Sequence, residues 1–210
     1  MCKFPGPTCC DDHDMKIHFG AFNCPVDGWT NTDITPHLYI ARVPFLAPLL
    51  HAIGKMPADR FRDHRAGSFR KLKYLNVGKP WPFGDETVEA VFSSHVLEHL
   101  TIRAARSCIS SAHRVLKRGG VLRIVVPDLD KCVESYSAST AYEWATDVFE
   151  AKQAAEKNMH HFMYNSLSLA RLMRECGFSE VSQQSYRVGK CPDIERLDNR
   201  PESLFMEAVK

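Results

Sequence analysis

The stretch SSHVLEHL, residues 93–100, concentrates the side chains best suited to chemistry. Within it His95, Glu98 and His99 spell H-x-x-E-H. On a helix the two imidazoles would lie four residues apart on one face, a zinc-ligand spacing, with Glu98 as general base. A zinc enzyme also needs a third protein ligand placed to complete a tetrahedron. The pair His160-His161 offers one, but no pattern in the sequence fixes its position. The flanking residues read instead as a strand before the motif and a turn after it. In that setting His99 diverges from His95 into the following helix, and no metal is expected. Imidazole titrates near neutrality, so His95 is the first choice for a general base, with Glu98 and His161 as further proton-handling groups.

The elements that must position these residues are legible. VEAVFSS, residues 88–94, reads as a short buried strand. Beyond it Ile102, Ala105, Ile109, Ala112 and Leu116 recur at helical spacing. Lys117 and Arg118 suit the helix C-terminus, and Gly119-Gly120 is expected to stop it. VLRIVVPDL then forms an apolar, β-branched strand ended by Pro127. Strand, helix, strand with both strands largely apolar predicts a parallel sheet covered on both faces. Upstream, residues 15–20, 28–34 and 69–77 are further strand candidates, and the apolar segment after Ile34 predicts short helices broken at Pro44 and Pro48. Downstream, residues 165–178 predict a helix with an apolar stripe of Leu167, Leu169, Leu172 and Met173, capped by Gly177. SEVSQQSYR and LFMEAVK complete the chain as strands.

Bulk composition bounds the function. With 210 residues, 44% of them hydrophobic, and a formal charge of +2, the chain can bury a sizeable core and has no electrostatic bias towards nucleic acid. No apolar run approaches the roughly 20 residues needed to span a bilayer. Eight cysteines without a C-x-x-C pair fit reduced thiols, several of them buried, in a cytoplasmic protein. Residues 1–14, including Cys9, Cys10 and His13, are expected to form a flexible extension rather than a metal site. Residues 15–210 are expected to form one domain with a helical insertion at about 35–68.

In order and spacing, five stretches resemble the class I S-adenosylmethionine-dependent methyltransferases. They are KIHFGAFNCPVDGWTNTDI, WPFGDETVEAVFSSHVLEHL, AHRVLKRGGVLRIVVPDL and LARLMRECGF with DNRPESLFMEA. More narrowly, they are similar to predicted members found with cell-surface polysaccharide biosynthesis. The resemblance spans about residues 15–210. It implies an α/β, Rossmann-like, mostly parallel sheet whose last strand is antiparallel, with helices on both faces. It implies S-adenosylmethionine as cofactor and a small-molecule or saccharide acceptor, methylated on oxygen.

Ligands of open parallel sheets bind beyond the strands' carboxyl ends, where strand order switches. Gly20 ends the first strand, Asp33 the second, and Ser94 and His95 the fourth, so these four are candidate cofactor contacts, with Asp33 on the ribose diol. The resemblance adds Ala21 and Phe22 of the first loop, and Asn76, where relatives often carry an acid. That loop reads Gly20-Ala21-Phe22 rather than G-x-G, and it is too short for the usual helix before the second strand. Trp81 and Phe83 are expected in the core. Arg200 is expected to pair with Asp198 or Glu202. Two rival readings are a non-catalytic partner protein of the same fold and a zinc hydrolase built on His95, Glu98 and His99.

Overall fold

The computed structural model describes residues 15–149 and 159–210. The expectations for residues 1–14 lie outside the described residues. Seven strands form one sheet, with β1 Met15–Phe19, β2 Thr30–Asp33, β3 Lys73–Tyr74, β4 Val88–Ser94, β5 Leu116–Val126, β6 Glu180–Gln184 and β7 Leu204–Val209. Their order is β3-β2-β1-β4-β5-β7-β6. The first five strands run parallel, while β7 is antiparallel to both β5 and β6. The chain moves outward one way from β1 to β3 and the other way from β4, so the switch point lies between β1 and β4.

The period-2 alternation of the central strands divides the core into two layers. Val91, Leu122, Ile124 and Met206 face one layer, with Ala105, Cys108, Ile109 and Ala112 of α4 (Ile102–Val115) and Leu169, Leu172 and Met173 of α7 (Ser166–Glu175). Phe92, Val121, Val125 and Phe205 face the other, against Val26 and Trp29 of the β1–β2 loop and Leu197 of the short helix α8 (Ile194–Leu197). Trp81 is buried in the first layer and Phe83 packs against it, as expected. Leu167 departs from its expected stripe and is 78% exposed, because it lies at the first turn of α7, outside the buried face.

Three further expectations are corrected. The helix stops at Val115, and Leu116 through Gly120 already belong to β5. Its last carbonyls do not need a glycine cap, because the Glu86 and Thr87 amides donate to Arg114 and Val115. His113 and Arg114, rather than Lys117 and Arg118, occupy the last turn. Gly120 serves a different purpose: a Cβ there would stand 3.0 Å from the Glu89 carbonyl of the neighbouring strand. The strand expected at residues 69–77 shrinks to Lys73–Tyr74, since Ser68–Lys71 form a 3-10 turn that buries Phe69. Asp198, finally, is taken by Arg123 rather than Arg200.

The segment after β2 contains α1 (His37–Ile40), α2 (Leu46–Ala52) and α3 (Ala58–Arg65). Leu38, Ala41, Phe69 and Leu72 make a satellite cluster with Ala21, so these helices pack over the first loop. Two more helices, α5 (Leu129–Glu134) and α6 (Ala141–Phe149), follow β5.

Within β1, His18 is buried edge-on against Phe92, and burial lowers its pKa from 6.5 to about 4. An unfolded chain therefore binds this proton at a higher pH than the folded one. Its contribution to stability is present above pH 6.5 and lost as pH falls through about 4. The gap between those values corresponds to about 3 kcal/mol. Urea titrations at pH 7 and pH 4 should show that difference shrink in His18→Gln, and an equal loss in both proteins would remove His18 as the cause.

Candidate active site

Parallel pairing brings three strand ends to one edge. Phe19 of β1 is level with Thr32 of β2, and His18 with Phe92 of β4. Gly20, Asp33 and Ser94 therefore emerge side by side at the switch point. Gly20 turns the chain with φ +71°. A Cβ on it would lie 2.1 Å from Val96 Cγ2, so the glycine is required by the packing of the turn after β4. Gly20→Ala should lower stability by about 2 kcal/mol or more, from overpacking and positive-φ strain together. Adding Val96→Ala should restore part of that loss in urea denaturation; no restoration would place the cost elsewhere.

Asp33 is held by its own loop. Oδ2 accepts from the Phe22 amide at 3.0 Å and Oδ1 from the Thr35 amide at 2.7 Å. Burial raises its carboxyl pKa, opposed by these backbone donors and His37. Each oxygen keeps a second lone pair, so a fixed carboxylate can still accept from a vicinal diol. Ala21 is buried, and its amide donates to Thr32. Phe22 sits at φ +41° with its ring edge-on to Phe69 and the Arg60 guanidinium 4.7 Å away. The α1–α3 segment thus fastens the first loop in place. Asn76 follows β3, and its side-chain oxygen accepts from the Gly78 amide, leaving its NH2 to donate. These groups suit the ribose and adenine end of a nucleoside cofactor.

Beyond β4 the chain turns sharply. His95 has φ +54°, and its amide donates to the Val125 carbonyl of β5. A 3-10 turn, Leu97–His99, follows. Instead of diverging, both histidines approach one carboxylate: Glu98 Oε1 lies 3.2 Å from His95 Nδ1 and 4.0 Å from His99 Nε2. The short turn, tighter than an α-helix, keeps the two rings on the Glu98 side. Glu98 is fully buried, and neither oxygen receives an aligned hydrogen bond. His95 Nε2 is 2.9 Å from Ser203 Oγ, at the edge where β7 begins. Ser203 was missed in sequence because its nearest signal is a polar turn 108 residues from His95. His161 is exposed, and its amide donates to the Glu98 carbonyl at 2.7 Å. His160 stands beside His99, with ring centroids 5.0 Å apart.

A family model described as a methyltransferase domain matches residues 60–124. No curated protein sequence matches the chain. Among solved structures, a SAM-dependent methyltransferase from Archaeoglobus fulgidus is 15% identical, with TM-score 0.53, covering 94% of this chain and 86% of its own. A SAM-dependent methyltransferase from Thermotoga maritima is 14% identical, with TM-score 0.51, covering 93% and 82%. The structure of PigF with SAH is 12% identical, with TM-score 0.50, covering 93% and 50%. At such identities the likeness is one of fold. The expected architecture, a Rossmann-like mostly parallel sheet with an antiparallel last strand, is the one found. Among the described residues no helix is long and apolar enough to cross a membrane. Residues 60–124 thus match a methyltransferase domain, and they lie inside a fold that the chain shares with SAM-dependent methyltransferases.

Proposed function

We propose that the chain methylates a hydroxyl of a small-molecule or saccharide acceptor, with Asp33 and Asn76 on the cofactor's nucleoside and His95 as the base. The observation that carries this reading is His95, placed at the end of β4 with a ring nitrogen at Glu98 and the other at Ser203. S-adenosylmethionine supplies an electrophilic methyl group, so the protein's task is alignment and removal of the acceptor proton. With Nδ1–H turned towards Glu98, Nε2 is the basic nitrogen, and it accepts the Ser203 hydroxyl. An acceptor hydroxyl reaching this point gives up its proton to Nε2, directly or through Ser203 Oγ. The Glu98 carboxylate steadies the imidazolium that forms, as an orienting acid does for a histidine base. His161, exposed beside this group, belongs to the acceptor side. The saccharide acceptor, a place in cell-surface polysaccharide biosynthesis and a cytoplasmic location rest on the family resemblance of the sequence. The reading of residues 15–210 as one domain carrying the 35–68 insertion is supported by the packing of that segment on Ala21.

Asp33→Ala should weaken SAM and SAH binding by about 1.5–3 kcal/mol, the loss of a charge-assisted hydrogen bond. Calorimetry checks it, and unchanged affinity would take Asp33 out of the site. Methyl transfer from labelled SAM to a panel of hydroxylated sugars and phenols tests the acceptor class. One observation favours a second reading, that of a non-catalytic partner protein: the Phe22 amide already occupies Asp33 Oδ2. Absence of SAM and SAH binding would select that reading.

A further inference from the structure

We infer that Glu98, His99 and His160 form a binding site for a divalent first-row transition-metal ion of the zinc class. Their ligand atoms lie within 4.8 Å of one another. Two ligands at about 2.0–2.2 Å from a tetrahedral zinc stand roughly 3.3 Å apart, so side-chain shifts of about an ångström would close the site.

The carboxylate is the first argument. Glu98 is 0% exposed, and both of its oxygens lack an aligned hydrogen-bond donor. Burying an ionised group without partners is costly, and a cation is the partner that the surrounding imidazoles can help to hold. His95 Nδ1 stands 3.2 Å from Glu98 Oε1 without forming an aligned hydrogen bond, and the buried Tyr164 hydroxyl is also unpartnered.

The imidazoles are the second argument, and it is independent. His99 Nδ1 stands 3.3 Å from the Met159 carbonyl, and His160 Nδ1 stands 2.6 Å from the Val148 carbonyl. A carbonyl only accepts, so in both neutral rings the proton sits on Nδ1. That leaves Nε2 of each ring unprotonated, and His99 Nε2 is the atom that faces Glu98. Backbone carbonyls orienting the non-ligating nitrogen are the usual outer support of a metal-bound histidine. The ligands come from distant segments, yet the fold ties them together. The Glu98 carbonyl accepts from the His161 and Phe162 amides at 2.7 and 3.2 Å, and the His160 amide donates to Phe149 at the end of α6.

Two imidazoles and one carboxylate suit zinc, iron or cobalt better than magnesium or calcium. Three protein ligands leave a coordination position open, the arrangement of catalytic rather than structural zinc sites. This site does not depend on the methyl acceptor or on His95 acting as base.

Chelator-treated full-length protein titrated with Zn2+ in a calorimeter, and with Co2+ by absorption, tests the assignment. One equivalent is expected to bind, and bound Co2+ should show visible bands without thiolate charge transfer. His99→Asn and His160→Gln should each weaken binding by more than the roughly 10- to 100-fold that loss of an outer partner costs, with circular dichroism unchanged. Failure of the wild-type protein to bind either ion would overturn the site. So would thiolate bands that persist in the variants, which would place the ion on cysteines. Binding unaltered in folded His160→Gln would equally exclude the proposed ligand set.

Discussion

His95→Asn is expected to slow methyl transfer to a hydroxyl acceptor by roughly 100- to 10,000-fold, the range lost with a general base. SAM affinity should be unchanged, because Asp33 and Asn76, not His95, are the proposed nucleoside contacts. Asparagine is the informative replacement. His95 sits at φ +54°, a conformation asparagine adopts more readily than other non-glycine residues. The variant thus removes the imidazole while sparing the turn that the Val125 carbonyl fixes. Ser203→Ala provides the companion measurement. If the proton passes through Ser203 Oγ, this variant loses rate too; if it passes directly to Nε2, the loss is small. Either way the defect should appear in kcat rather than in cofactor binding, since a base acts in the transition state. Normal turnover by a folded His95→Asn enzyme would eliminate this base and leave only the fold and cofactor reading. Loss of SAM binding together with turnover would reassign His95 to a structural role.

The parts of this site that were legible in sequence are those set by local pattern. The β4–α4–β5 unit could be read because its strands are apolar and its helix repeats at 3.6 residues, so burial and periodicity agree. From it followed the placement of Ser94 and His95 at a strand end, and the likeness of the first two strands placed Gly20 and Asp33. What could not be read was set by contacts distant in sequence. The end of α4 was assigned to Gly119-Gly120 because a glycine pair is the local stop signal, whereas the helix is ended by amides of Glu86 and Thr87 from some 28 residues earlier. Phe22 stood out in sequence only as a departure from the G-x-G pattern of the first loop. In the fold it is an anchor, packed on Phe69 and beneath Arg60. His160 has no local pattern at all; it reaches Glu98 because the end of α6 and the Glu98 carbonyl hold residues 160–162. The motif HVLEH was likewise ambiguous, since a helix, a 3-10 turn and a loop aim the same three side chains differently.

Arg123→Met should cost about 3–5 kcal/mol of stability, the penalty for breaking a buried ion pair from one side. In sequence Arg123 interrupts an apolar strand without visible reason. In the fold it is 0% exposed and all five of its N–H groups are used. Nε and Nη2 fork onto Asp198 at 3.0 and 2.5 Å, and Nη1 reaches Glu207 at 2.9 Å. The remaining donors go to the carbonyls of Val188 and Ser185, both at 3.1 Å. Two carboxylates against one guanidinium leave an excess negative charge, offset by amides: Arg187 donates to Asp198, and Lys190 and Cys191 donate to Glu207. Methionine fills much of the volume but strands both acids without their cation. The consequence extends to the site. The segment this network fixes carries Asp193, whose carboxylate accepts from Lys16 of β1 at 2.5 Å and from the Trp29 indole at 2.9 Å. Loosening it should loosen the β1–β2 loop that presents Gly20 and Asp33. Arg123→Lys, which keeps the charge but loses the fork, should fall between the two in urea midpoint. Asp198→Asn with Glu207→Gln in the Arg123→Met background should recover stability, because no uncompensated charge then remains buried. A midpoint unmoved by Arg123→Met, or no recovery in the triple variant, would show that the acids do not depend on the guanidinium and that the amides alone hold this end of the sheet.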